Sequence, residues 1–295
     1  MKVAIVGYGN VGKALKTIVE RDAGMQLVGV FSRRKLSLAE YIPFDELPNY
    51  RGKIDTLLLA LGSYGDVVEN AQNFAGFDTI DCFDNHAKIS AYKCLMGKVN
   101  SKNLSIVATG WDPGILSVVR AIFHFGTPPT TIWGEGISQG HSNALRTIPQ
   151  VIDGVQFTLP VKNATDLAKS GQRDGQKLHK RVCYVACVES AKGDVERKIK
   201  SMPYYFDGYD TQVVFCTPQE VRKLKQKTAH SGRVVASGDG FHCEARVSMQ
   251  NNALFTAKIM TRYAKILPKL KADGYLGAVD VLDIPPRYLT ENNVL

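Results

Sequence analysis

Three features of the sequence predict an α/β protein of two domains, the first a Rossmann-type, doubly wound parallel sheet. Residues 1–12, Met-Lys-Val-Ala-Ile-Val-Gly-Tyr-Gly-Asn-Val-Gly, run from a short apolar stretch straight into G-x-G-x-x-G. Through about residue 118, apolar runs of strand length alternate with helix-like segments, the pattern of parallel strands joined by crossover helices. Beyond that point the connections lengthen and become irregular, which predicts a second α+β domain on a mixed sheet. The expected boundaries are 1–118 and 119–251, with 252–295 packing back on the first domain.

Element by element, Val3–Val6 is continuously apolar, as a strand buried on both faces requires. Val11, Leu15, Ile18 and Val19 follow on one helical stripe. Gly7 permits a tight turn, Gly9 lets backbone approach a pyrophosphate, and Gly12 allows close helix–strand packing. Helix N-terminal N–H groups would face the phosphates, so Gly7, Tyr8, Gly9, Asn10, Val11 and Gly12 form the expected dinucleotide loop. Gln26–Phe31 reads as the next strand. Where an NAD site carries an acid for the ribose 2′-hydroxyl, this sequence has Ser32, Arg33 and Arg34. Two forked, permanently charged donors suit a 2′-phosphate, which favours NADP over NAD; the alternative is an ordinary basic loop.

Thr56–Leu61 reads as a third core strand ending at Gly62-Ser63, with a helix over Asp66–Ala75. Thr79–Cys82 and Leu104–Ala108 read as further strands, separated by a helical His86–Val99. Small or polar residues follow each strand (Gly7, Ser32, Gly62, Asp84, Gly110), so they line one crevice beyond the carboxyl ends. In the second domain Thr130–Trp133, Val155–Leu159, Val182–Val188 and Thr211–Cys216 read as strands; Asn252–Leu270 reads as a helix.

Composition narrows the function classes. A hydrophobic fraction of 44% and a charged fraction of 22% over 295 residues are those of an ordinary globular protein. No stretch approaches the roughly 20 apolar residues of a membrane span, and no signal peptide is expected. Six cysteines without short paired spacings predict a reducing, cytoplasmic setting. The net charge of +9 is scattered apart from Arg222–Lys227, read as a solvated helix face, and without aromatic–basic interleaving it does not predict nucleic-acid binding. It does suit a phosphorylated cofactor and a dicarboxylate. Cys183 and Cys187 on one strand would lie about 13 Å apart, too far to share a zinc, and no metal site is expected.

Two carboxylates sit just beyond core strands. Asp84 lies in Asp-Cys-Phe-Asp-Asn-His (81–86) and Asp112 in Thr-Gly-Trp-Asp-Pro-Gly (109–114). Each has a bland alternative as a helix cap, Asp112 with Pro113 in the first helical position. Two acids at the mouth of one sheet, beside a nicotinamide site, point instead to recognition of an ammonium group.

Together with these blocks, Phe-Ser-Arg-Arg (31–34), Trp-Gly-Glu-Gly-Ile-Ser-Gln-Gly-His-Ser (133–142), Phe-Thr-Leu-Pro (157–160), His-Lys-Arg (179–181) and Met-Pro-Tyr-Tyr-Phe (202–206) resemble the meso-diaminopimelate dehydrogenase family over nearly the whole chain. The resemblance implies an NADP-dependent oxidative deamination at the D-centre of meso-diaminopimelate, giving L-2-amino-6-oxopimelate and ammonia. Asp84 and Asp112 would hold the reacting amine and act as the catalytic pair. Trp133, Thr158, Arg181, His230 and Asn252 would surround the distal amino acid group, and Ser138, Gln139 and Gly140 the reacting carboxylate. For Thr158 the alternative is sheet surface, for Trp133 a place in the core, and for Asn252 a helix cap, with Asn251 competing for its role. His230 lies in a stretch that reads as flexible, Thr-Ala-His-Ser-Gly.

The cofactor site would comprise the dinucleotide loop, Ser32, Arg33, Arg34, Gly62 and Ser63. A homodimer formed through the second, substrate-binding domain is also implied. The basic segment from Lys169 to Lys180, with its Gly-Gln-Arg-Asp-Gly composition, is a candidate lid. Two other functions remain open on the sequence: a related NADP-dependent D-amino or keto acid dehydrogenase of relaxed specificity, and a non-catalytic NADP(H) sensor.

Overall fold

The computed structural model describes residues 1–63 and 65–290. It begins with β1 (Lys2–Val6), four of whose five residues are buried. Helix α1 (Asn10–Val19) follows and buries Gly12, Leu15 and Val19. Gly7 takes a left-handed φ of +93°, and a side chain at Gly12 would collide with the Gly7 carbonyl, so both positions require glycine. Then come β2 (Gln26–Ser32), β3 (Tyr41–Pro43), β4 (Thr56–Leu59) and α2 (Asp66–Glu69).

The helix expected over 66–75 breaks at Asn70. Its side-chain amide donates to the Asp66 carbonyl at 2.7 Å, competing with the helical backbone bond, and Ala71–Phe74 continues as a 3-10 turn. Strand β5 (Thr79–Asp81), α3 (Ile89–Val99), β6 (Leu104–Val107) and α4 (Ile115–Ile122) complete the run. The segment before α3, His86–Lys88, is a separate 3-10 turn.

The next stretch contains β7 (Thr130–Trp133), β8 (Gly136–Ile137), α5 (Gln139–Leu145), β9 (Val151–Pro160), α6 (Ala164–Lys169), α7 (Gly175–Leu178) and β10 (His179–Cys187). After it come α8 (Lys192–Lys200), β11 (Asp210–Phe215), α9 (Pro218–Leu224), β12 (His230–Gly238) and β13 (Phe241–Met249). A reciprocal Thr217–Glu220 cap fixes the start of α9. Helix α10 (Asn252–Ala272) and β14 (Gly277–Asp280) end the regular structure.

Two compact units result: Met1–Val118 with the described residues from Ala253 onward, and Val119–Asn252. The first holds a seven-stranded sheet in the order β14-β6-β5-β4-β1-β2-β3, parallel throughout. Its switch point lies between β1 and β4, where such sheets bind ligands beyond the strand ends. Apolar side chains including Phe31, Leu57, Leu59, Phe74 and Met96 fill one face of that sheet. From the C-terminal segment, β14 pairs with β6, and the Lys271 ammonium reaches the Asp78 carboxylate at 2.6 Å.

The second unit has two sheets where the sequence had suggested one. A mixed sheet runs β11-β10-β9-β8, and an antiparallel sheet runs β13-β12-β7. The hairpin of β12 and β13 accounts for the difference: Thr-Ala-His-Ser-Gly reads as loop, yet His230 opens a nine-residue strand because it pairs with Met249. Among the described residues no helix is long and apolar enough to cross a membrane.

Candidate active site

In the first unit, the carboxyl ends of β1, β2, β4, β5 and β6 bring the glycine loop, Ser32, Gly62-Ser63, Asp84 and Gly110 to one edge of the sheet. Gly9 precedes α1, no side chain caps the helix, and no acid lies in its first turn. The space where a Cβ of Gly9 would stand is open to 4 Å. Free N–H groups, a positive helix end and room for close approach fit the diphosphate of a dinucleotide.

Beside the loop is a cavity of about 340 Å³ lined by Tyr8, Lys13, Arg34, Lys35, Leu36, Ser37 and Leu38. Three cations around that space suit an added phosphate monoester. The structure separates the two arginines of the sequence motif. Arg34 faces this cavity, whereas Arg33 forms an ion pair with Asp66 and borders a neighbouring hollow with Ser32, Tyr41 and Phe44. Lys13 and Lys35 were missed in the sequence because an isolated lysine beside a motif carries no signal of its direction.

The two carboxylates stand on adjacent loops, and neither is a helix cap. The 3-10 turn after Asp84 is preceded by Asn85, and α4 begins at Ile115, two residues beyond Pro113. The Ser63 hydroxyl accepts the Asp84 backbone N–H at 2.9 Å, tying the end of β4 to this loop. Asp84 lies open to solvent, yet protein packed around its carboxyl raises its pKa by desolvation, against a hydrogen bond from Ser63 and the charge of His86. The Asp112 side chain is fully buried, with His86 Nε2 3.9 Å from its carboxylate. His86 therefore links the loop of Asp84 to Asp112.

In the second unit, strand register brings Gly136, Thr158 and Arg181 side by side. Thr158 on β9 stands opposite Arg181 on β10 and opposite Gly136 on β8. Arg181 donates to the Thr158 hydroxyl at 2.6 Å, and its guanidinium lies 4.3 Å from the centre of the Tyr209 ring. Arg181 is only 6% exposed, its Nε has no hydrogen-bond partner, and burial pulls its pKa down. No carboxylate pairs with it among the described residues. A desolvated guanidinium in this state is a ready receptor for a carboxylate.

The His230 ring packs on Gly136, where a Cβ would strike it, and Thr158 pairs with the same Gly136 from β9. Asn252 joins this end of the unit through its N–H to the Thr228 carbonyl, 3.0 Å; Asn251 is exposed. Ser138 caps α5 and donates its own N–H to the Gln156 carbonyl at 3.1 Å, while Gln139 and Gly140 occupy the first turn. Gln156 in turn reaches the Thr158 hydroxyl at 3.3 Å.

Two histidines complete this region. His179 Nε2 accepts the Trp133 N–H at 2.8 Å and its Nδ1 lies 2.9 Å from the Gly175 carbonyl, which fixes a neutral tautomer protonated on Nδ1. Burial, more than the opposing bond to Gly175, lowers its pKa to about 4. That bond also anchors α7 within the basic segment expected as a lid. His141 Nδ1 is 2.6 Å from the Ser138 hydroxyl, and burial takes its pKa to about 3. Both lie inside motifs quoted from the sequence, whereas Tyr209 gave no signal there.

Comparison with known proteins adds three findings. The family model described as "Diaminopimelic acid dehydrogenase C-terminal domain" matches residues 110–252. Meso-diaminopimelate D-dehydrogenases of Ureibacillus thermosphaericus and Corynebacterium glutamicum are each 35% identical to this chain, covering 97% and 100% of it and 94% and 97% of their own lengths. Among solved structures, the C. glutamicum diaminopimelate dehydrogenase in complex with diaminopimelate superposes with a TM-score of 0.92 at 33% identity, covering 100% of this chain and 97% of the other. An engineered D-amino acid dehydrogenase bound to NADP+ gives the same TM-score, identity and coverage.

Proposed function

This chain belongs to the meso-diaminopimelate dehydrogenase family, and from that premise we propose how its residues divide the work. The enzyme is an NADP-dependent oxidoreductase. It converts meso-diaminopimelate, water and NADP+ to L-2-amino-6-oxopimelate, ammonium, NADPH and a proton. The first unit is the cofactor domain and the second the substrate domain.

The dinucleotide loop, Gly62-Ser63 and Arg34 with its lysine neighbours would hold NADP, which when bound accepts hydride from the D-configured α-carbon. Asp112, with its side chain buried, would fix the ammonium. That nitrogen must be neutral before the C–H bond can break, so a base has to remove a proton first. Asp84 suits that role, since its exposure lets the proton it takes leave to solvent. Once the imine has formed, the same carboxylate can return a proton to nitrogen as water adds and ammonia departs. At the distal end Arg181 and Thr158 would bind the carboxylate, with Trp133, His230 and Asn252 around the amino group.

The observation carrying this reading is Arg181, a buried guanidinium without a carboxylate of its own among the described residues. A simple D-amino acid has nothing to offer it; a dicarboxylate does. Incubating the protein with NADP+ and meso-, LL- or DD-diaminopimelate tests the point. NADPH and ammonia should form fastest with the meso isomer, and equal rates with D-alanine would overturn the assignment of Arg181. We also read the protein as a cytoplasmic homodimer joined through the second unit, for which a sedimentation mass of one chain would be the contrary result.

A further inference from the structure

The ladder between β5 and β6 ends at the Ile80–Ile106 pair, just before the two loops that carry Asp84 and Asp112. From there Asp81 takes over. This residue is 1% exposed, and its Oδ1 accepts the backbone N–H groups of Phe83 and Ala108, both at 2.9 Å. Its Oδ2 accepts the Tyr92 phenol at 2.9 Å. The backbone carbonyl of Asp81 accepts the N–H and the hydroxyl of Thr109 at 2.9 and 2.7 Å. Phe83 adjoins Asp84, and Ala108 and Thr109 lead into the turn of Asp112. Five hydrogen bonds from both loops and from Tyr92 therefore converge on one residue.

Two details mark this as more than a satisfied core group. Ala108 is held at φ +57°, a left-handed conformation that is strained for an L-residue and persists only where its surroundings enforce it. The bond from its N–H to Asp81 is one such restraint. Further, a buried carboxylate whose donors are two amides and a phenol pays heavy desolvation, which lifts its pKa to about 6. Tyr92 is itself fixed, stacked on Phe83 with ring centres 4.3 Å apart.

We infer that Asp81 is a positioning residue: by binding the N–H groups of both loops it sets the spacing of Asp84 and Asp112. The inference rests on the roles given to those two acids above. Asp81→Ala should lower kcat about 100-fold while the Kd of NADPH stays within twofold, because the dinucleotide loop is on other strands. Asp81→Asn keeps one acceptor oxygen for the two amides and should restore kcat to within about tenfold of the parent.

Amide hydrogen exchange gives a readout independent of turnover. Phe83 and Ala108 should exchange faster in the Ala variant while amides of β1 and β2 do not change. A folded Ala variant with parental kcat, unchanged exchange at Phe83 and Ala108, or NADPH affinity falling in step with kcat would each overturn the inference. Should the Ala variant not fold, Tyr92→Phe, which deletes the phenol's bond to the Asp81 carboxylate, carries the same test: a three- to tenfold fall in kcat with faster exchange at Phe83 and Ala108 supports it, and no change in either refutes it. A parent protein inactive on every diaminopimelate isomer would instead remove the functional reading, and the exchange data would still judge the clamp.

Discussion

At the carboxyl ends of its sheet the first unit gathers acids, Asp81, Asp84 and Asp112, whereas the second unit buries Arg181 and a neutral His179, with a half-buried neutral His141. The difference matches the two kinds of group in an amino acid substrate. Carboxylates favour an ammonium, and a guanidinium stripped of water favours a carboxylate. In both units a buried ionisable group is held by short-range partners rather than by a counter-ion: Asp81 by amides, Arg181 by Thr158 and Tyr209.

The sharpest way to break this comparison is at the acid whose side chain is fully buried. Asp112→Asn should cut kcat on the order of 1,000-fold, about 4 kcal/mol of barrier, with NADP+ affinity unchanged in calorimetry. Equal losses in both would remove Asp112 from the ammonium site. On the opposite side, Arg181→Met should raise the KM for meso-diaminopimelate roughly 100-fold, about 3 kcal/mol for a lost charge-assisted pair, with a smaller effect on D-alanine. Similar penalties for both substrates would mean that Arg181 serves the fold.

A third substitution sharpens the cofactor side. Arg34→Ala should weaken NADP+ about tenfold while leaving NAD+ alone, Lys13→Ala should do less, and Arg33→Ala least, since Arg33 is paired with Asp66. The reverse order would return the 2′-phosphate to Arg33.

Smallest, but opposite in sign between the units, are the effects of pH on stability. The pKa of Asp81 is raised, from 3.8 to about 6, so its contribution is complete below pH 3.8 and fades as pH rises through 6. For His179 and His141 the shift is downward from 6.5, to about 4 and about 3, so their contribution is complete above pH 6.5 and fades on acidification. Burial is the main reason that acid is resisted at His179, and a protonated ring would also aim an N–H at the N–H of Trp133. Between pH 7 and 4, exchange protection attributable to these groups should therefore fall in the second unit and rise in the first. His179→Gln should flatten the fall, and an unchanged slope would contradict the tautomer assigned.

Much of the first unit was legible in the sequence because its signals are local. A glycine that must turn, a strand buried on both faces and an acid just past a strand end are all written within a few residues. Val3–Val6 and Gln26–Phe31 fall on observed strands for that reason. His230 was read as loop because its strand exists through pairing with Met249 and Trp133's sheet, not through any apolar run of its own. The helix at 66–75 was overextended because the competing bond from Asn70 is invisible to periodicity.

What the sequence pointed to alone was the kind of chemistry: a loop for a phosphorylated dinucleotide and a pair of acids, both read from residue type and spacing, while the arginine for a second carboxylate came only from the family resemblance. Tertiary structure decided which of those groups face one another. Strand register set Arg181 against Thr158 and Gly136 under His230, and convergence of two loops on one carboxylate made Asp81 a partner to acids that lie up to 31 positions later in the chain. Direction and distance are properties of packing, and no short stretch of sequence contains them.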